Sequence, residues 1–418
     1  MPRIIVNNFG PIKEADVELG KFNIFIGEPA SGKSTLAKLV YFFKSLKEEV
    51  KEFVLYSNEQ MVRIRLVIQD KFSLYFGSSL NLSEDFEVIY YYDDANFIKL
   101  YRTNSLQIHI EENFFNQINS YLHPLSLIIR RSTNGTLNSV LQDLDARLDE
   151  LFNDMRKTQF IPAIRSFTST LPPAVRTEMV KEIGRLQSNR VQQQAQIDLF
   201  LMVDFEKQVQ YMLGEFEARG GSFTSVLKSG MTKPQIPTQS NYTLELVEAI
   251  LRGKYQVKNG VESLSIEGRK KPVFLNQSSS GQQEVIRLLQ EFFLSIVLKD
   301  ARFRVIEEPE AHLSPLRQSL LVQLMIEMLN TAENEILITT HSDHILNAVL
   351  VGAKKFQNQE QGGINHSDIK ISFFALDEVS QRQHKVIDIG ILQGGKIKNP
   401  PSGFFDQISI DRKFLMGF

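Results

Sequence analysis

Apolar and polar positions along this chain alternate, then cluster, then change period, and each change marks an element. Ile4-Ile5-Val6, the alternating run from Ile12 to Leu19 and the apolar run from Lys21 to Ile26 predict three strands, the last bounded by Gly20 and Gly27. Leu36, Leu39, Val40, Phe43, Leu46 and Val50 then recur at helical spacing. Residues 61–100 are rich in β formers. Met61 to Ile68, Phe72 to Phe76 and Phe86 to Tyr92, separated by turn-prone Gln-Asp, Gly-Ser-Ser and Asp-Asp, predict an antiparallel sheet joined to the first strands.

From about residue 135 the period becomes helical. Leu137, Val140, Leu141, Leu144, Leu148, Leu151 and Met155 form one stripe, and Ile197, Phe200, Leu201, Phe205, Val209 and Met212 form another. Pro162 and Pro172-Pro173 lie between them, so the insertion is read as several helices. The first stripe lasts only about three heptads and reads as packing within a lobe rather than an intermolecular coiled coil. Residues 219–240, with Gly220-Gly221, Gly230, Pro234 and Pro237, read as a linker or surface loop. A helix near 243–252 and a hairpin turned at Asn259-Gly260 follow. The expected organisation is α/β: an N-terminal lobe over 1–130 with a β subdomain, a helical insertion or lid over 131–225, and a C-terminal lobe over 226–418.

Composition narrows the setting. With 42% hydrophobic and 23% charged residues, the chain is that of an ordinary globular protein. It has no cysteine, which excludes a disulfide framework, a thiolate zinc site and a cysteine nucleophile, and points to a reducing, cytoplasmic location. The N-terminus turns polar too early for a signal peptide, and no run approaches the ~18 apolar residues of a membrane span, so no membrane partner is expected. A net charge of −2 gives no global field for nucleic acid. Arg130-Arg131 and Arg269-Lys270-Lys271 read first as solvated loops, and any DNA contact must be local.

Three distant segments carry candidate chemistry. Gly27-Glu28-Pro29-Ala30-Ser31-Gly32-Lys33-Ser34, followed by Thr35, is a complete G-x-x-x-x-G-K-S phosphate loop set between a strand and a helix. Its glycines let backbone N–H groups wrap phosphates, Lys33 reaches the β and γ oxygens of ATP, and the Ser34 hydroxyl ligates Mg²⁺. Phe303-Arg304-Val305-Ile306 is a short apolar strand delivering Glu307 and Glu308 to its C-terminal end. Strand ends of this kind line the ligand crevice of open α/β sheets, so Glu307 is expected on Mg²⁺ and Glu308 on the attacking water. Ile336 to Thr340 is a similar strand, and His341 at its end is expected at the γ-phosphate. Catalysis is thus assigned to Glu308, His341 and Lys33.

At this point a resemblance becomes specific. Glu307-Glu308-Pro309-Glu310-Ala311-His312-Leu313-Ser314-Pro315, with Thr340-His341-Ser342-Asp343-His344-Ile345-Leu346, resembles the Walker B, D-loop and H-loop run of ABC-type ATPases of the RecF, SMC-like and OLD group. Ser278-Ser279-Ser280-Gly281-Gln282 is similar to their signature motif, with Ser in two places where transporter versions have Leu and Gly. The resemblance spans about 1–50 and 270–418. It implies an ABC-type P-loop ATPase head in which Ser279, Ser280, Gly281 and Gln282 meet ATP held by a second subunit, hence a homodimer around two ATP molecules. It also implies a glutamine bridging Mg²⁺ and the lid, for which Gln159 is a candidate.

The long interval between Lys33 and Ser279 disfavours a transporter, and the helical insertion is too short for the arm of chromosome-organising relatives. The residues after His341 show no D-x-D pair or His-Asn-His cluster, so no nuclease site is expected. Phe160-Ile161-Pro162-Ala163-Ile164-Arg165-Ser166 and Gly394 to Asp406 resemble segments of stand-alone bacterial ATPases of the AAA-15/AAA-21 type, which include ATPase subunits of the antiphage systems Septu and PARIS. Physically both read as turns without an evident reacting group. The resemblance implies an ATPase that senses a trigger and controls a separate, co-encoded effector. A DNA repair or maintenance ATPase that clamps DNA, and a scaffold holding ATP with little turnover, are the alternatives.

Overall fold

The computed structural model describes residues 1–56, 63–77, 85–131, 134–188, 197–230, 238–377, 383–392 and 396–398. The chain divides into two compact units. One comprises 1–20, 27–158 and 372–388; the other comprises 21–26, 159–371 and 389–418.

In the first unit the strands Arg3–Phe9 and Ile12–Glu18 form a hairpin, and Glu87–Tyr91, Phe97–Arg102 and Leu106–Ile110 extend it antiparallel on the Arg3–Phe9 side. On the other side, His384 of the strand His384–Leu392 pairs parallel with Ile12. The antiparallel β subdomain read from the sequence is therefore present, but with different members. Residues Ile64–Phe76 form a helix, not strands. Their β-branched and aromatic composition suggested strands, yet the buried positions Ile64, Ile68, Phe72 and Phe76 recur every fourth residue. Burial on one helical face outweighed local propensity. Phe9 makes edge contacts with Phe72, Phe76 and Phe86, which ties that helix to the sheet. Met61 and Val62 lie outside the described residues.

The helical stripe beginning at Leu137 forms Asn134–Leu151 and stops there; Met155 is exposed beyond it. Within the expected all-helical insertion a strand, Lys157–Ile161, precedes the helices Pro173–Ser188 and Ile197–Ala218. Part of the expected linker is also helical, at Phe223–Ser229, while 231–237 lie outside the described residues.

The second unit is built on strands lying side by side in the order Phe22–Gly27, Glu335–Thr340, Arg302–Glu307, Lys157–Ile161. The first three are parallel neighbours, with Ile26 opposite Thr340 and Thr339 opposite Glu307. All three are almost wholly buried, which explains their continuous apolar runs. The helix Ser280–Leu298 is buried along most of its length, polar side chains included. Its buried charges are held in pairs at two places: Arg287 grips Glu262 at 2.6 and 2.7 Å, and Glu291 accepts from Arg304 at 2.9 Å. The hairpin expected at Asn259-Gly260 joins Lys254–Lys258 to Val261–Ser265.

Candidate functional site

Strand order alone brings the ends of three predicted strands together in the second unit. Ile26, Thr340 and Glu307 end three adjacent parallel strands, and from Ile26 the chain runs directly into Gly27. His341 follows Thr340, and Glu308 follows Glu307.

The phosphate loop itself lies in the first unit. Gly27 has φ 156° and Gly32 φ 96°, and a Cβ on Gly27 would come within 2.9 Å of the Phe374 carbonyl oxygen. Gly32 caps the helix Lys33–Lys44 without a side-chain hydrogen bond, so no capping side chain screens the helix N-terminus from an anion. Glu28, Pro29 and Ala30 are exposed at the crest of the loop, Ser31 is buried, and Ser34 and Thr35 are half-buried in the first helical turn. Lys33 departs from a simple solvent-facing position. It is buried, and its ammonium donates to the Gly27 carbonyl at 2.8 Å, the Glu28 carbonyl at 2.5 Å and Ser31 Oγ at 3.2 Å. The charge is thereby held inside the ring of backbone that forms the loop.

At the acid end, Glu307 is buried and Glu308 is half-buried. Glu308 adopts φ 43°, a left-handed conformation costly for a side-chain-bearing residue. It is fixed on both sides: its amide donates to the Thr339 carbonyl at 2.9 Å, and its own carbonyl accepts from the Ala311 amide at 3.1 Å. His341 Nδ1 lies 3.8 Å from Glu308 Oε1, so the two side chains face one place. Glu310 is buried and accepts from Thr340 Oγ1 and from the His341 amide, locking the two strand ends together. Burial pushes the Glu310 carboxyl above its ordinary range, against the hydrogen bonds that Thr340 and His341 supply.

Ser34 and Glu307 offer a hydroxyl and a carboxylate, the hard oxygen donors that Mg²⁺ takes alongside phosphate and water. Thr339 Oγ1, opposite Glu307 in the strand register, is buried with no hydrogen-bond partner among the described residues, as suits an end that receives a further polar group. Ser34 and Glu307, each taken by itself, are donors of the kind the metal takes.

The signature residues start the helix Ser280–Leu298. Ser279 is its N-cap, and a reciprocal capping box joins Ser279 to Gln282. Gln282 is buried, with Nε2 on the Leu251 carbonyl at 2.9 Å, so its side chain serves local structure. Ser279 and Ser280 are exposed. Gly281 is buried where a Cβ would stand 2.6 Å from the His312 carbonyl oxygen, so only glycine lets the helix start and the turn after Glu310 approach this closely.

Gln159 does not fit the bridging role. It is buried on the strand Lys157–Ile161, where Oε1 accepts from Arg302, and Arg302 begins the strand whose other end is Glu307. The residues that do reach the acid turn follow it: the Ala163 amide donates to Glu307 Oε2 at 3.3 Å, and the fully buried Arg165 donates to the carbonyls of Glu307 at 3.0 Å and Glu308 at 2.9 Å. Sequence reading took Phe160 to Ser166 as a turn without chemistry. Arg165 is fully buried although Ile164 beside it is exposed, so no run of apolar residues marked it, and an arginine is rarely buried unless paired. The segment Gly394 to Asp406 lies outside the described residues apart from 396–398.

Residues 1–346 match the family described as AAA ATPase domain, AAA_15. The chain belongs to that family. The AAA-15 resemblance read from the sequence is thus borne out, and the match takes in the phosphate loop, the signature, the acid pair and His341. Residues 364–413 of this AAA ATPase match a family described as a protein of unknown function, DUF3696. None of the curated proteins matches the chain. Among solved structures it is similar to an Smc head bound to the C-winged helix domain of ScpA, at 13% identity, TM-score 0.47 and coverage of 93% of this chain and 97% of that one. It is also similar to a Pyrococcus furiosus Smc head domain with an extended coiled coil bound to the C-terminal domain of ScpA, at 13%, 0.44, 93% and 97%. An SMC head domain from Thermotoga maritima is similar at 10%, 0.38, 93% and 98%. Among the described residues no helix is long and apolar enough to cross a membrane.

Proposed function

We propose that this AAA ATPase binds ATP with Mg²⁺ and hydrolyses it, two copies closing around two ATP molecules, and that the cycle controls a separate effector in cytoplasmic antiphage defence. The observation that carries the hydrolysis reading is the register of three parallel strands, which ends the strand feeding the phosphate loop beside the strands ending in Glu307 and Thr340.

In this reading the loop amides and Lys33 hold the phosphates, and Ser34 and Glu307 hold the metal, which when bound offsets phosphate charge. Glu308 accepts a proton from the attacking water, and His341, 3.8 Å from it, meets the γ-phosphate. Ser279 and Ser280, exposed at a helix N-terminus, meet the γ-phosphate of the second subunit.

The defence role rests on the antiphage ATPases that Phe160 to Ser166 resembles. Cells carrying the gene with its neighbouring reading frames should resist phage, and Lys33→Ala in the same locus should abolish resistance. Equal plaque counts with and without the locus would remove the defence role.

A further inference from the structure

Arg165 makes more backbone hydrogen bonds than its place in a turn requires. Besides Glu307 and Glu308, its guanidinium reaches the carbonyls of Pro162 at 3.3 Å, Pro309 at 3.5 Å and Glu284 at 3.2 Å, and it lies 3.5 Å from the Glu284 carboxylate. Glu284 belongs to the first turns of the signature helix. The four residues after Arg165 continue the connection: Ser169 Oγ donates to the Gln283 carbonyl at 2.8 Å, and Arg287 donates to Thr168 Oγ1 at 3.0 Å and to the Thr168 carbonyl at 2.8 Å. One short segment is therefore fastened at one end to the acid turn and at the other to the helix carrying Ser279 and Ser280.

We propose that Pro162–Ser169 is a buried strut, with Arg165 as a positioning residue, that makes the strained backbone of Glu308 depend on the seating of the signature helix. This rests on the hydrolysis reading above and adds its regulation: ATP is bound without the strut but cleaved only when the helix is seated against it. A left-handed residue persists only where its surroundings over-determine it. At Glu308 the only side-chain donor to the carbonyl among the hydrogen bonds of the described residues is Arg165. The fork of the guanidinium matters, because a lysine ammonium in its place has three donors for five acceptors and no planar geometry.

The strut is tested first without catalysis, by hydrogen exchange on the nucleotide-free chain. Ser169→Ala cuts a contact only on the helix side and keeps Arg165. It should speed exchange at 307–311 by about fivefold or more while leaving the hairpin 254–265 unchanged. Arg165→Lys should do the same. Unchanged exchange at 307–311 in both variants overturns the proposal, as does equal acceleration in the hairpin, which marks general loosening.

Turnover is the second readout. Arg165→Lys should lower kcat about tenfold or more with KM within about twofold. Loss of kcat and ATP affinity in proportion overturns the positioning role. A chain in which exchange at 307–311 responds as expected but wild type turns over no ATP leaves the strut standing and removes the hydrolysis reading instead.

Discussion

Glu310 accepts a hydrogen bond from Thr340 Oγ1 at 2.6 Å, across thirty residues of sequence, and a second from the His341 amide at 3.1 Å. Its other oxygen is buried without a hydrogen-bond partner among the described residues. The contact fixes the ends of the strands Arg302–Glu307 and Glu335–Thr340 relative to each other, yet it uses only one carboxylate oxygen.

The first prediction follows from that geometry. Because burial raises the Glu310 carboxyl, ionising it in the folded chain is costlier than in the unfolded one. Its contribution to stability is therefore unfavourable as pH rises past the ordinary value near 4.3. Glu310→Gln keeps an acceptor for both donors and removes the charge, so urea unfolding at pH 7 should show equal or greater stability and a flatter pH dependence above pH 4. Glu310→Ala orphans both donors and should cost about 1–3 kcal/mol. A glutamine variant weaker than the alanine variant contradicts this.

Lys33→Ala should abolish the heat of ATP binding in titration calorimetry. Because the ammonium is buried against Gly27, Glu28 and Ser31, the substitution should also loosen the loop, seen as faster exchange at 27–32, with the far-ultraviolet circular dichroism unchanged. A variant that binds ATP as tightly as wild type would misplace the site.

Ser280→Arg puts bulk and charge at the exposed start of the signature helix without touching the Ser279–Gln282 capping box. Light scattering should show that ATP no longer drives dimerisation while calorimetry still reports one nucleotide per chain. Ser279→Arg should give the same loss plus a cap cost of about 1 kcal/mol. A Ser280→Arg protein that dimerises normally would exclude the trans contact.

Asp154 gives a pH prediction remote from the site. Burial opposes its ionisation, but Lys44 and Arg156 outweigh burial and hold its carboxyl below the usual range. That stability is present above about pH 3.9 and is lost as pH falls through the lower folded value. Asp154→Asn removes the carboxylate facing the buried Lys44 ammonium and should destabilise the chain by about 3 kcal/mol at pH 7, with the difference from wild type shrinking below pH 4.

The short contiguous motifs were the legible part of this chain, because each combines its chemistry and its secondary structure within a few residues. The loop between Ile26 and Lys33, the strand ending at Glu307 and the hairpin at Asn259-Gly260 fall in this class. Arg165 was not legible. Apart from the neighbouring Pro162, its acceptors are backbone carbonyls over a hundred residues away, and carbonyls leave no mark in a sequence. The helix Ile64–Phe76 was misread because β-branched and aromatic residues fill it, although its buried positions keep the helical period. The burial of Lys33 was hidden for a related reason: the motif names the side chain but not the carbonyls of its own loop that hold it.

Hydrolysis by Glu308 is the centre of the account, and Glu308→Gln tests it most directly. Glutamine keeps the shape but removes the charge that accepts the proton of water. ATP turnover, measured as phosphate release, should fall by about a hundredfold or more while calorimetric ATP affinity stays within about twofold and ATP-bound dimers accumulate. A Glu308→Gln protein that releases phosphate at the wild-type rate would contradict it.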